Sequence, residues 1–204
     1  MRSKALACAS ALLLLAAPTF ALAQEHDHHA GGECHPTPEQ KHEAAEFARR
    51  TMAAAKPYED PAYAFENDFI PWVDAWKPVF HFVKYEHYYD WKVLDPNRPE
   101  AFVYAKTNTG LQLIGVMFSM EDPGRKPPDF GGCITRWHTH PQCVAPIGYS
   151  HIWEEDWGGC PPGWEEDNGG SELMLHVWTV PMEGGPYAYH PDSSWECWPQ
   201  PAPC

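Results

Sequence analysis

AFVYAKTNTGLQLIGVMFSM, residues 101–120, is two apolar runs around a short polar break. Ala101 to Lys106 and Leu111 to Met120 are rich in aromatic and β-branched residues, the composition of strands. Between them, Thr107-Asn108-Thr109-Gly110 supplies an Asn and a Gly, which tolerate the positive φ that a tight hairpin turn needs. The stretch therefore predicts two antiparallel strands joined locally. Downstream, Glu121 to Gly132 holds three prolines and three glycines and reads as a loop. Ile134 to His140 and Leu173 to Val180 have the look of two further strands, separated by an acidic, tryptophan-bearing insertion from Pro141 to Ser171. Beyond Glu183 the chain is rich in Pro, Gly and Trp and is expected to be irregular, held by Cys197 and Cys204.

Upstream of the hairpin the pattern is helical. Thr37-Pro38-Glu39-Gln40 gives an N-cap, a proline at the first helical position and a glutamine at the third, a capping box. The helix should run to about Lys56, with Ala45, Ala48, Met52 and Ala55, flanked by Phe47, as its packing face. Asp60-Pro61 repeats the signal and opens a second short helix through Phe65. Helices first and strands after, without β-α-β alternation, predict an α+β fold: an N-terminal helical segment followed by an antiparallel β core, built as a small barrel or sandwich.

The first residues carry Arg2 and Lys4, an apolar run from Ala5 to Ala16, and Ala21-Leu22-Ala23 before Gln24. These are the three parts of a secretory signal, so residues 1–23 are expected to be removed and the protein exported to the periplasm or beyond. Residues 24–36 form a histidine-rich tail expected to lack order, and residues 37–204 a single globular domain. No later run has the ~20 apolar residues of a membrane span, so no membrane anchor is expected. The formal charge of −14 argues against nucleic acid as a partner. Once Cys8 is removed with the signal, Cys34, Cys133, Cys143, Cys160, Cys197 and Cys204 remain, an even set that predicts three disulfides in an oxidising compartment. Thiolate metal ligation is disfavoured because no Cys-x-x-Cys pair occurs.

The candidate chemistry lies in Trp137-His138-Thr139-His140. In a strand, side chains two apart share a face, so His138 and His140 would form a clamp for one metal ion. In the strand from Leu173, His176 is the polar member of a face shared with Met174, Trp178 and Val180, and a metal would give it a partner. Three imidazoles suit zinc or copper. A fourth ligand is sought in Tyr85-Glu86-His87-Tyr88, with His87 preferred. An inward Glu86 would instead favour iron or manganese. If the protein is an enzyme, a metal-bound water or oxygen would react, with Glu86 or Glu100 as proton acceptor. His81, His151 and His190 are read as ordinary surface or core residues.

Two further ligand classes deserve a place. The tail residues His26, His28 and His29 form a second, loose metal site, and Gln24-Glu25-His26 could bind copper(II) or nickel(II) through a free terminal amine. Trp153, Trp157, Trp164, Trp195 and Trp198 fall in Gly- and Pro-rich segments, and exposed aromatics there could stack on a glycan or another small molecule. The acidic runs Glu154-Glu155-Asp156 and Glu165-Glu166-Asp167 lack the alternating ligands of a calcium loop and are read as solvated. There is no Gly-x-Ser-x-Gly elbow, phosphate-cradling loop or His-Glu-x-x-His helix.

The His138-x-His140 pair with His176 further on resembles the two-motif metal site of the cupin superfamily, which implies a small barrel with a metal in its mouth. The Glu that follows the second cupin histidine and the Pro-x-Gly before the third are absent here. A second resemblance, from about Glu46 to Pro186, is to an uncharacterised family of bacterial secreted or membrane-associated proteins. It is carried by Glu86-His87-Tyr88, Leu94-Asp95-Pro96 with Arg98-Pro99-Glu100 before Phe102-Val103-Tyr104, Trp137-His138-Thr139-His140 with Cys143, and Met174-Leu175-His176-Val177-Trp178. It implies that His87, His138, His140 and His176 work together.

Overall fold

The computed structural model describes residues 34–120, 125–145, 151–153 (backbone only), 160–167 and 170–191. The expected signal, the tail histidines, Cys197, Cys204, Trp157, Trp195, Trp198 and the run Glu154-Glu155-Asp156 lie outside the described residues.

Helix α1 spans Pro38–Ala55 and begins at the capping box read from sequence: Thr37 Oγ1 accepts from the Gln40 amide at 3.2 Å, and the Gln40 side chain accepts from the Thr37 amide at 2.9 Å. Its buried stripe is Ala44, Phe47, Ala48, Thr51 and Ala55. That is one position off the expected face, since Ala45 and Met52 are exposed. The reason is size: Phe47 is the only large apolar side chain of the first three turns, and the stripe is centred on it. A 3₁₀ turn, Lys56–Glu59, leads into α2, Pro61–Glu66, which Asp60 caps through the Ala62 amide at 3.0 Å.

Among the described residues eight strands follow: β1 Ile70–Pro71, β2 Val79–Val83, β3 Ala101–Thr107, β4 Gly110–Met120, β5 Gln142–Val144, β6 His151–Trp153, β7 Glu165–Asp167 and β8 Leu173–Trp178. A single helical turn, α3, Tyr85–Tyr88, separates β2 from β3. The main sheet has the order β1-β2-β3-β4-β8 and is antiparallel at every pairing. The hairpin is as read: Thr107 pairs with Gly110, which stands at φ 122°, and Thr107 Oγ1 donates to the Gly110 carbonyl at 2.7 Å. The α+β class with an antiparallel β core is therefore realised. The barrel is not, because β1 and β8 are the two ends of an open sheet.

Alternation along the strands divides the sheet into two faces. One carries Phe80, Phe82, Phe102, Tyr104, Leu113, Val116, Phe118, Leu175 and Val177, and forms the main core with the buried residues of α1 and α2. Phe47 packs on Phe118 with ring centres 5.2 Å apart, and Tyr104 donates from its hydroxyl to the Tyr58 carbonyl at 2.6 Å. The other face carries His81, Val103, Met117, Met174, His176 and Trp178.

One expectation needs correction. Ile134 to His140 is not a regular strand: Gly132–Ile134 is a 3₁₀ turn, and only an isolated bridge pairs His138 with Met174. Gly131 at φ 66° turns the chain just before it, and Pro141 just after lacks the N–H that continued pairing would use. The insertion from Pro141 to Ser171 carries a small sheet of order β6-β5-β7.

Two disulfides bracket the histidine-bearing segment. Cys34 bonds Cys133, and Cys143 bonds Cys160. They fit an oxidising, exported environment. Among the described residues, no helix is long and apolar enough to cross a membrane.

Candidate functional site

His176 reaches the face turned away from the main core because it alternates with Leu175 and Val177, which anchor the opposite face of β8 in that core. It is 6% exposed, and its ring stacks on Trp178 at 5.1 Å and 9°. The Trp178 indole is fixed in turn, donating from Nε1 to the Ala188 carbonyl at 2.8 Å. His176 Nδ1 is buried without a hydrogen-bond partner among the described residues. Burial pushes the pKa of His176 well below the ordinary histidine value, and His138, His81, His140 and His190 add to the same effect. The ring is therefore neutral at pH 7 and carries a basic lone pair.

His138 is carried to this place by its bridge: its amide donates to the Met174 carbonyl at 2.9 Å, and the Met174 amide donates to its carbonyl at 2.8 Å. Its Nδ1 lies 2.9 Å from the Arg136 carbonyl, which can only accept, so Nδ1 holds the proton and Nε2 is the basic nitrogen. His140 follows, its amide donating to Ser171 Oγ at 2.8 Å while the Ser171 amide donates to its carbonyl at 2.9 Å. Ring centres are 5.1 Å apart for His138 and His140, and 5.2 Å for His138 and His176. The three sequence-expected histidines are therefore neighbours, although a bridge and a serine position two of them rather than a strand.

Two more imidazoles join them. The ring of His81 on β2 stands 5.9 Å from that of His176 on β8. With β3 and β4 between, the two backbones in a flat sheet would be roughly 14 Å apart. The face is therefore concave, helped by the register shift between Val103 and Tyr104, since a bulge bends its strand. The floor is low as well, because Val103 and Gly115 lie in the row between His81 and Trp178. Asp74, itself buried, holds His81: Oδ2 lies 2.6 Å from Nδ1, and Oδ1 accepts the His81 amide at 3.2 Å. This leaves Nε2 of His81 as the nitrogen turned from the carboxylate. His190 comes within 5.8 Å of His140, and Tyr189 packs on His138 at 4.3 Å.

The remaining candidates sit elsewhere. His87 lies on α3, not on an extended segment, with Nδ1 2.6 Å from the Pro99 carbonyl and its ring against Phe69 of the main core. Burial lowers its pKa, and the charges acting on it are Arg98, Lys84 and Asp90, none of them part of the cluster. Glu86 is exposed and pairs with Arg98 at 3.2 Å. Glu100 is buried and accepts the Ser119 amide at 3.1 Å, tying the start of β3 to the end of β4.

Sequence reading passed over His81, Asp74, Tyr189 and His190. The signal for His81 was present in Phe80-His81-Phe82, a histidine inside an apolar run, the same signal that singled out His176. Among the described residues, no group of three or more His, Cys, Asp or Glu side chains already stands in a geometry that holds a metal ion. Fold and site together define an α+β protein with a cluster of imidazoles, of which His81, His138, His140 and His176 are buried, on the concave face of an open sheet. No protein-family model matches the chain, and neither curated proteins nor solved structures give a match. The two resemblances therefore stand on their motifs alone.

Proposed function

We propose that this is an exported metal-binding protein with one mononuclear site, its ion held by His138, His140 and His176, and zinc or copper as the ion. The observation that carries the reading is the spacing of the rings. A zinc–imidazole bond of about 2.0–2.1 Å puts a ring centre about 3.2 Å from the ion, so two ligands at the tetrahedral angle have centres about 5.2 Å apart. The pairs His138–His140 and His138–His176 stand at 5.1 and 5.2 Å. The Arg136 carbonyl and the Asp74 carboxylate supply the outer hydrogen bonds that orient metal-binding histidines. His81 takes the fourth position in place of His87, because it is His81 whose ring lies beside His176.

Holding or handing over an ion is favoured over catalysis. Glu86 and Glu100, the carboxylates available from sequence for proton transfer, are engaged by Arg98 and by the Ser119 amide. The test is elemental analysis of the purified protein after equilibration with zinc or copper. We expect one ion per chain, and its loss from a His138→Ala, His140→Ala variant. Equal metal content in the two proteins would reject the site.

A further inference from the structure

We infer that the ion this site is built for is copper(I), with the thioethers of Met117 and Met174 supplying soft ligation beside the imidazoles. The inference rests on the metal-binding reading above and narrows it to one ion. Met117 is the direct cross-strand partner of His176. Side chains so opposed have Cβ atoms about 4.5–5.5 Å apart, within the span of one flexible methionine. Met174 lies two residues before His176 on the same face, and it is also the residue that exchanges both backbone hydrogen bonds with His138. Both methionines are buried, at 3% and 4% exposure, and pack in one cluster with Val83 and Ala101. Each therefore adjoins a histidine of the proposed site.

Two physical arguments point from this arrangement to the monovalent ion. Thioether sulfur is a soft donor that selects copper(I), whereas zinc gains little from it over another imidazole or a water. The second argument is charge. The rings against His138 and His176 are imidazole and aromatic, the thioethers of Met117 and Met174 adjoin them, and the Asp74 carboxylate meets the cluster through the Nδ1 side of His81. Desolvation cost rises with the square of the charge, so burial disfavours a divalent ion far more than a monovalent one. Methionine as mere filler is the competing role, and it makes a different prediction: leucine of similar volume would then serve equally well.

The test is anaerobic competition of the full, oxidised protein against a chromophoric copper(I) chelator, with ascorbate as a reductant that leaves disulfides intact. A parallel zinc(II) competition is run, and both are repeated on Met117→Leu, Met174→Leu and the double variant. We expect the ratio of copper(I) to zinc(II) affinity to fall about tenfold in at least one single variant and further in the double. X-ray absorption of the copper(I)-loaded wild type gives a readout that depends on no variant, and should show sulfur as well as nitrogen around the metal. A copper shell of nitrogen alone, or an unchanged affinity ratio in a folded double variant, overturns the inference while leaving the metal site standing. Failure of the wild type to take up either ion overturns both.

Discussion

Gly115 is the residue on which the cluster's floor depends. A Cβ placed there would lie 2.7 Å from Cε3 and 2.9 Å from Cζ3 of Trp178, and 3.5 Å from Cβ of Val103. Trp178 cannot simply retreat, because it is 1% exposed, stacked on His176 and tied to the Ala188 carbonyl. Alanine in a strand would ordinarily gain roughly 0.5–1 kcal/mol over glycine. Overpacking a full core costs about 1–3 kcal/mol, so the steric term wins. Gly115→Ala should therefore lower the midpoint of urea denaturation, and an unchanged midpoint would show that the indole moves freely. At this scale the sequence pointed to His138, His140 and His176 as companions and was silent about His81 beside them. His176 was recognisable as a polar residue in an apolar face, and His81 offered the same sign. That they meet follows from the curvature of a sheet with two strands between them, which no local pattern encodes.

Among the elements, α1 and the β3–β4 hairpin were legible because their signals are local. The capping box is made within four residues, and the turn within another four. Removing the cap tests how much that local chemistry contributes. Thr37→Ala deletes the oxygen that accepts from the Gln40 amide, and should cost about 1 kcal/mol. A thermal melt should register this as a fall of about 2–4 °C for a domain of this size. No change would mean that the Cys34–Cys133 bond, three residues away, already fixes the helix start. The segment from Ile134 to His140 was not legible. Its alternation is that of a strand, yet the turn at Gly131 and the proline at 141 leave it a single bridge to Met174. Pattern predicts which residues can share a face, but pairing also needs an uninterrupted partner edge.

For the molecule as a whole, the two disulfides among the described residues differ in what they close. Cys34 and Cys133 are 99 residues apart, and Cys143 and Cys160 only 17. Loop-closure entropy then assigns about 4–5 kcal/mol to the first and about 3 kcal/mol to the second. Replacing the first pair by alanine should lower stability in a denaturant titration by more than replacing the second, and the reverse order would mean that the small sheet around β5 is the weaker part of the fold. The bridge between His138 and Met174 has a different consequence. β8 ends the main sheet, and its outer rim would offer bare backbone groups to any passing extended chain. His138 covers that rim at Met174 and Pro186 covers it at Trp178, where the amide donates at 2.8 Å. The peptide that gathers the imidazoles thus also serves as a guard against fibre-like self-association. A change that loosens it to retune the site should make the protein sticky before it makes it unfold.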